Sequence, residues 1–267
     1  MNSLVVVRGA GEMASGVIRR LIVSGFKVVA LEQAEPSCIR RTVCFAEAMF
    51  DSQVTVDGVT AVRVDDLDQI DLLLHRNQVP VLCDPEAATV NMIKPSVLVD
   101  ARMLKNRIDT TLDLAPIVIG LGPGFVVGRN SHAAVETNRG FDLGRVLYTG
   151  SPLADTGRPA EIGGVSTKRL IRSPADGVFR ESRQIGDHLV YGETVGTVGV
   201  HAVIAETAGT LRGLIRSGLT VHMGQKIGDV DPRGFPDYCF RISDKANAIA
   251  GGVLEAVLSL SKQDTRV

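Results

Sequence analysis

The chain has 267 residues, 45% of them hydrophobic and 22% charged, enough for two domains or one of generous size. With 29 basic against 30 acidic residues, a formal net charge of −1, no tryptophan and 4% aromatics, it has neither the charge nor the stacking surface of a nucleic-acid or anionic-membrane binder. Cysteines at 38, 44, 83 and 239 form no C-x-x-C pair, against a disulfide framework or zinc knuckle. The start lacks a basic region and no apolar run nears the ~20 residues of a membrane helix, so the expected location is the cytoplasm.

Leu4 to Val7 reads as a strand buried on both faces. Gly9-x-Gly11-x-x-Ala14 then opens a helix bearing Val17, Ile18, Leu21 and Ile22, and Ser24-Gly25 stops it before a second buried strand, Lys27 to Leu31. Ile39 to Met49 is predicted helical, with Arg40-Arg41 as solvated charges, and Val54 to Val64 a hairpin about Asp57-Gly58. Leu67 to His75 has amphipathic helical spacing. Val79 to Cys83, Val97 to Asp100, Ile117 to Ile119 and Ala133 to Val135 read as strands, and Ala87 to Ile93 as a short helix. Strands alternating with helices predict an α/β fold: an N-terminal Rossmann-like domain, 1–150, with a mostly parallel sheet.

A linker rich in Ser, Pro, Asp, Thr and Gly is expected over 151–165. Beyond it lies an ungapped internal repeat. Gly177, Gly186, Gly192 and Gly196 recur as Gly209, Gly218, Gly224 and Gly228, an offset of 32 (209 − 177). Each copy is too small to bury a core, so the two must fold against each other. With Ser173-Pro174-Ala175-Asp176-Gly177-Val178 and Val190-Tyr191-Gly192-Glu193-Thr194-Val195, residues 166–233 resemble a biotinyl/lipoyl-like (barrel-sandwich hybrid) β module. The hairpin between the halves, Val198 to Val203, has no Lys, so no biotin or lipoyl attachment is expected; His201 reads as an exposed turn residue. In 234–267 Ser243 is a candidate cap for a helix with Ala246, Ile249, Ala250, Val253, Leu254, Val257 and Leu258 on one face, packing back on the first domain; Lys262 onward reads as frayed. Gly251-Gly252 inside it reads as a close-approach site.

The glycine loop carries the main functional signal. After a strand and before a helix, Gly9 allows the tight turn, Gly11 leaves room for a pyrophosphate, and the amides of Ala10 to Met13, Glu12 included, meet the phosphate. Glu32, 21 residues beyond Gly11, stands where a carboxylate would accept from a ribose. Other polar turns fall at strand carboxyl ends, the place for ligands in an open α/β sheet: Cys83-Asp84, Asp100 with Arg102 (and Lys105 nearby), and Gly122-Pro123-Gly124, a candidate anion nest. His132, Glu136, Asn138 and Arg139 read as polar contacts for an anionic ligand, too few in ligand type for a metal. No catalytic residue is identified. Cys38, Cys44 and Cys83 read as small buried hydrophobes rather than nucleophiles.

Seven segments in order carry a resemblance over the whole chain. They are Arg8-Gly9-Ala10-Gly11-Glu12-Met13-Ala14-Ser15-Gly16, Ile39-Arg40-Arg41-Thr42-Val43, Val99-Asp100-Ala101-Arg102-Met103, Ile119-Gly120-Leu121-Gly122-Pro123-Gly124-Phe125, Val135-Glu136-Thr137-Asn138-Arg139-Gly140, Lys226-Ile227-Gly228-Asp229-Val230-Asp231-Pro232-Arg233 and Ile242-Ser243-Asp244-Lys245-Ala246. The chain resembles the YqeB family, accessory proteins of selenium-dependent molybdenum hydroxylase systems. The resemblance implies a maturation factor that handles a molybdopterin-type or other nucleotide cofactor, with an apo molybdenum hydroxylase or its maturation machinery as partner. A nicotinamide (NAD/NADP) oxidoreductase using Gly9, Gly11 and Glu32 is the enzyme alternative, and a non-catalytic docking scaffold the third reading. Nucleic acid and membrane are not expected partners; homo-oligomerisation stays open.

Overall fold

The structure, a computed structural model, describes residues 3–106, 108–155, 157 and 161–263. Part of the expected linker (156 and 158–160) and the last four residues of the frayed end (264–267) lie outside the described residues.

In chain order the elements are β1 (Leu4–Arg8), α1 (Glu12–Val23), β2 (Lys27–Glu32), α2 (Ala48–Asp51), β3 (Gln53–Val56), β4 (Val59–Val64), α3 (Ile70–His75), β5 (Val79–Cys83), α4 (Val90–Ile93), β6 (Val97–Asp100), β7 (Ile117–Leu121), β8 (Ala133–Val135) and β9 (Val146–Leu147). There follow β10 (Leu170–Arg172), β11 (Gly177–Glu181), β12 (His188–Leu189), β13 (Thr194–Val198), β14 (His201–Ile204), β15 (Gly209–Leu214), β16 (Thr220–Val221), β17 (Lys226–Asp231) and α5 (Asp244–Gln263). They form two units. One comprises 1–36, 45–156 and 242–267, the other 37–44 and 157–241.

The first unit is built on a nine-stranded sheet of order β3-β4-β5-β2-β1-β6-β7-β8-β9. Pairing is parallel from β4 to β8, whereas β3 on β4 and β9 on β8 are antiparallel. Continuous apolar runs suit central strands covered on both faces: Val5, Val6 and Val7 are wholly buried, as are Val97, Leu98 and Val99 beside them. On one face Val6, Val29, Leu98 and Val118 join Ile70, Leu73 and Leu74 of α3 in one apolar cluster. Elsewhere α5 lies along α1 and touches β7, β8 and β9. Ser243 caps α5 through Ala246 N (3.2 Å), and Ala246, Ile249, Ala250, Val253 and Val257 are buried. The glycine pair inside this helix divides: a Cβ on Gly252 would sit 2.1 Å from Gly144 O, whereas one on Gly251 would meet nothing within 4 Å.

The second unit has two four-stranded antiparallel sheets, β10-β17-β15-β12 and β14-β13-β11-β16. The 32-residue repeat maps one onto the other, β11, β12 and β13 answering β15, β16 and β17. The correspondence reaches hydrogen bonds: Gly186 N donates to Leu211 O and Gly218 N to Phe179 O, each at 2.8 Å; Gly192 N donates to Ala205 O and Gly224 N to Ser173 O, likewise at 2.8 Å. Backbone angles agree as well, with φ of +145° at Gly177 against +146° at Gly209.

The expected architecture, a Rossmann-like domain followed along the chain by a biotinyl/lipoyl-like module, is corrected by this arrangement. The large sheet is mixed, closed at both edges by antiparallel strands. Its crossovers are mostly not helical: β6 and β7 are joined by an irregular stretch with one 3-10 turn (Leu112–Leu114), and α2 and α4 span four residues each. The helix expected over Ile39 to Met49 is two 3-10 turns and α2. Nor is the β unit confined to 166–233. Its β15 receives segment 37–44, with Leu214 N donating to Ile39 O at 2.7 Å, and the turn Pro236–Phe240 packs on the same strand. Arg40 and Arg41 are not solvated helix charges. Arg40 is buried and donates to Tyr238 O and Arg241 O, and Arg41 donates to Leu214 O and Glu181.

Candidate functional site

The carboxyl ends of β1, β2, β5 and β6 share one rim of the parallel sheet, and the side chains there are joined in a network. Gly9, with φ +97°, leaves β1 and turns toward α1 with its amide on Leu31 O at 2.6 Å. This left-handed backbone favours glycine, and a Cβ here would also press on the Arg102 backbone at 3.3 Å. Gly11 caps α1 without a side-chain hydrogen bond. The positive end of the α1 dipole therefore faces this rim without a side-chain acceptor at its cap.

Glu32 closes the loop from the next strand. Its Oε2 accepts from Ala10 N at 2.8 Å and its Oε1 from Gln33 N at 2.9 Å. Burial pushes the Glu32 carboxyl up, opposed by those two amides and the Arg102 charge. The carboxylate read as a ribose acceptor is thus already engaged by the turn. Asp84, at the end of β5, accepts from Ala88 N, Thr89 N and the Thr89 hydroxyl.

The centre of the rim is a cluster that joins β1 to β6. Arg8 ends β1 opposite Asp100 of β6 in the parallel register. Although only 2% exposed, the Arg8 side chain reaches Thr110 Oγ1 at 2.8 Å, Pro85 O at 2.9 Å and both oxygens of Asp109 at 3.2 and 3.0 Å. Arg102 donates to Asp100 at 3.1 and 2.7 Å and to Asp109. The Thr110 hydroxyl donates to Asp100 Oδ2 at 2.5 Å. Burial works against ionisation of Asp109, but hydrogen bonds from Arg102 and Arg8 outweigh it and hold the carboxyl at about 2. The same two aspartates raise Arg102 against the effect of its own burial.

Of the residues predicted from sequence, the structure brings together Gly9, Ala10, Gly11, Glu32, Asp100 and Arg102, with Glu12 and Met13 following in the first turn of α1. The remainder divide. Gly122 and Gly124 lie at the end of β7, with Gly122 against Thr137 and Gly124 against Ile108. His132 Nδ1 accepts from Val118 N at 2.9 Å, an internal link between strands. Glu136, 3% exposed, accepts from Thr137 N, Asn138 N and Leu153 N at 2.7, 2.6 and 2.7 Å. Asn138 is exposed, and Arg139 pairs with Asp244 at 2.8 and 3.1 Å. His132 and Glu136 thus make hydrogen bonds inside the fold. Lys105 pairs with Asp155 at 2.6 Å. Cys44 is buried as expected, whereas Cys83 is exposed. Among the described residues no three His, Cys, Asp or Glu are grouped to hold a metal ion, and no helix is long and apolar enough to cross a membrane.

Sequence reasoning missed Arg8, Asp109, Thr110 and Lys245. An arginine closing the apolar run Leu4 to Val7 was the available signal for the first, since an unpaired charge is not tolerated at a buried strand end. Lys245, in the first turn of α5, feels the charges of Arg139, Glu12, Glu136 and Asp155; burial, then Arg139, push its ammonium pKa down. Nothing local in Asp109-Thr110 marks them.

No protein-family model matches the chain. It is 45% identical over 265 residues, 99% of its length, to "Uncharacterized protein YqeB" of Escherichia coli (strain K12), and spans 49% of that protein. Looser likenesses join it to solved structures. An aspartoacylase family protein of Mesorhizobium loti is 15% identical, with 86% of this chain and 84% of that one covered at a TM-score of 0.27. A succinylglutamate desuccinylase/aspartoacylase of Rhodobacter sphaeroides is 13% identical, with 81% and 61% covered at 0.24. The ectoine utilization protein EutE of Ruegeria pomeroyi is 10% identical, with 86% and 85% covered at 0.26. At such scores nothing of their fold or chemistry follows for this chain.

Proposed function

For a chain related along nearly all its length to about half of YqeB, we propose a role as an accessory factor in maturation of a selenium-dependent molybdenum hydroxylase. In this reading the rim of the first unit holds a molybdopterin-type or other nucleotide cofactor, and the protein delivers it to, or modifies it for, the apo-hydroxylase. The observation that carries the reading is the convergence at one sheet rim of the Gly9–Gly11 turn, the start of α1, and two arginines, Arg8 and Arg102. Backbone amides and guanidinium groups are the donors that phosphate groups require. They fit the phosphate part of such a cofactor. Gly11 to Met13 would supply amides and Arg102 positive charge. When bound, the cofactor would bring the redox chemistry; the chain's own residues orient the phosphates.

The rival nicotinamide oxidoreductase draws less support, because Glu32 is already hydrogen-bonded to Ala10 N and Gln33 N. The scaffold reading has one observation in its favour: Phe235 and Tyr238 meet in a tilted contact on the second unit, ring centroids 5.1 Å apart, with Arg233 over the Tyr238 ring, and both aromatics are exposed. Calorimetric titration of the full chain with molybdenum cofactor, NAD and NADP separates the three. Saturable binding of molybdenum cofactor is the expected result. Binding of NAD alone supports the oxidoreductase. No binding, with co-purification of the hydroxylase lost on Tyr238→Ala, supports the scaffold.

A further inference from the structure

We propose that Arg8 and Arg102 form an oxyanion site in which the Asp109 carboxylate is an internal stand-in for the acidic group of the ligand. The proposal rests on the rim reading above and names the chemistry of its ligand, a phosphate or carboxylate group.

The geometry is that of recognition. Arg8 takes both oxygens of one carboxylate with its two terminal nitrogens, at 3.2 and 3.0 Å, and Arg102 adds a further bond to Oδ1. A planar fork on two oxygens, joined by a second guanidinium, is how proteins hold carboxylates and phosphates. The two aspartates in the cluster differ in kind. Asp100 is buried, takes two bonds from Arg102 and one from Thr110, and belongs to the wall. Asp109 sits on the irregular stretch between β6 and the 3-10 turn at Leu112–Leu114, and 45% of its side chain is exposed. Its carboxylate is thus both held by the fork and in contact with solvent.

Charge balance points the same way. Asp100 balances Arg102, and Asp109 balances Arg8. An arginine stays protonated, so when Asp109 leaves, another anion must replace it or a buried cation is stranded. The buried Arg8 Nε has no hydrogen-bond partner, so the guanidinium has a donor beyond those Asp109 uses. A ligand that must displace Asp109 binds with an apparent affinity lowered by the fraction of molecules in which the fork is vacated.

The test is calorimetric titration of the 267-residue wild type, Asp109→Asn and Arg8→Met/Asp109→Asn with inorganic pyrophosphate and, separately, succinate. Asp109→Asn is expected to bind at least one probe about tenfold more tightly than the wild type, and the double variant to lose that gain. The preferred probe distinguishes a phosphate from a carboxylate ligand. Should Asp109→Asn be too unstable to titrate, its midpoint of thermal unfolding is expected to rise with the probe by more than that of the wild type. Equal or weaker binding by Asp109→Asn, or equal thermal shifts, overturns the proposal. If the wild type binds a nucleotide cofactor while Asp109→Asn gains nothing, the stand-in fails and the rim reading stands. If Asp109→Asn gains and no nucleotide cofactor binds, the reverse holds.

Discussion

Each unit holds a cluster of arginines and aspartates, and the two clusters are built differently. In the second unit Asp229, 1% exposed, takes Arg169 on one oxygen and Arg212 on the other, while the buried Asp231 takes Arg233 at 2.9 and 2.7 Å. Every partner of Asp229 is itself largely buried. In the first unit the anchor, Arg8, is as deeply buried, but one of its partners, Asp109, is open to water. Although Arg233 on the neighbouring Asp231 is 42% exposed, around Asp229 the cluster is sealed and has no partner to exchange. Its value is in fixing the packing of β15 and β17, and removing a member strands charge where water cannot reach it. An open cluster can trade its exposed carboxylate for an anion from solution. The repeat sharpens the contrast within the second unit: 32 residues before Asp229 and Asp231 stand Thr197 and Gly199, so only one half carries the buried charges.

The largest expected effect breaks the sealed cluster. Asp229→Ala leaves Arg169 and Arg212 without their shared anion and should destabilise the protein by about 3–5 kcal/mol in denaturant unfolding. Added phosphate should not restore it. Arg8→Met in the open cluster should cost less, about 1–3 kcal/mol, since Asp109 can be hydrated and Asp100 keeps Arg102. A larger loss from Arg8→Met than from Asp229→Ala would undo the distinction between open and sealed.

Packing rather than charge decides the next pair. Gly252→Ala forces a methyl into the Gly144 carbonyl and should cost about 1–3 kcal/mol. Its neighbour runs the other way: Gly251→Ala meets open space within a helix and should stabilise by up to about 1 kcal/mol. Thermal midpoints of the two variants give the answer directly, and equal signs would contradict the close seating of α5.

The smallest effects are pH-dependent and opposite in sign within the rim. Asp109 is held down at about 2 from an ordinary value of 3.8. Its contribution is therefore present above that ordinary value and lost as pH falls through about 2. Glu32 is raised from 4.5 by burial, so its contribution is present below that value and lost as pH rises through the raised one. Asp109→Asn should flatten the loss of stability on the acid side of the profile and Glu32→Gln the loss as pH rises above 4.5, as read by unfolding midpoints across pH.

What was legible in the sequence was local or periodic. The short, valine-rich runs at Leu4 to Val7 and Val97 to Asp100 are strands, as suits apolar runs of that length covered on both faces. Asp57-Gly58 closes its hairpin with φ of +44° and +80°, and the 32-residue spacing of glycines became two matching sheets. The α5 stripe at 3.6-residue spacing told of burial, though not which of its two glycines faces a neighbour. What stayed hidden depends on distant parts of the chain. Residues 37–44 look like the start of a helix, yet Ile39 O accepts from Leu214 N, a partner that no local pattern announces. Asp109 meets Arg8 across 101 positions, and the segment that carries it has no periodicity to read. His132 and Glu136 look functional by residue type because the backbone amides that engage them leave no trace in composition. The same blindness produced the Rossmann expectation. Strand spacing alone cannot tell a helical crossover from an irregular one.

The most direct trial of the rim as a ligand seat is amide hydrogen exchange on the full chain with and without molybdenum cofactor. The account predicts slowed exchange at residues 9–14 and around Asp109 on binding, with little change in β13 and β17. Exchange at residues 9–14 that does not respond to saturating cofactor would contradict it.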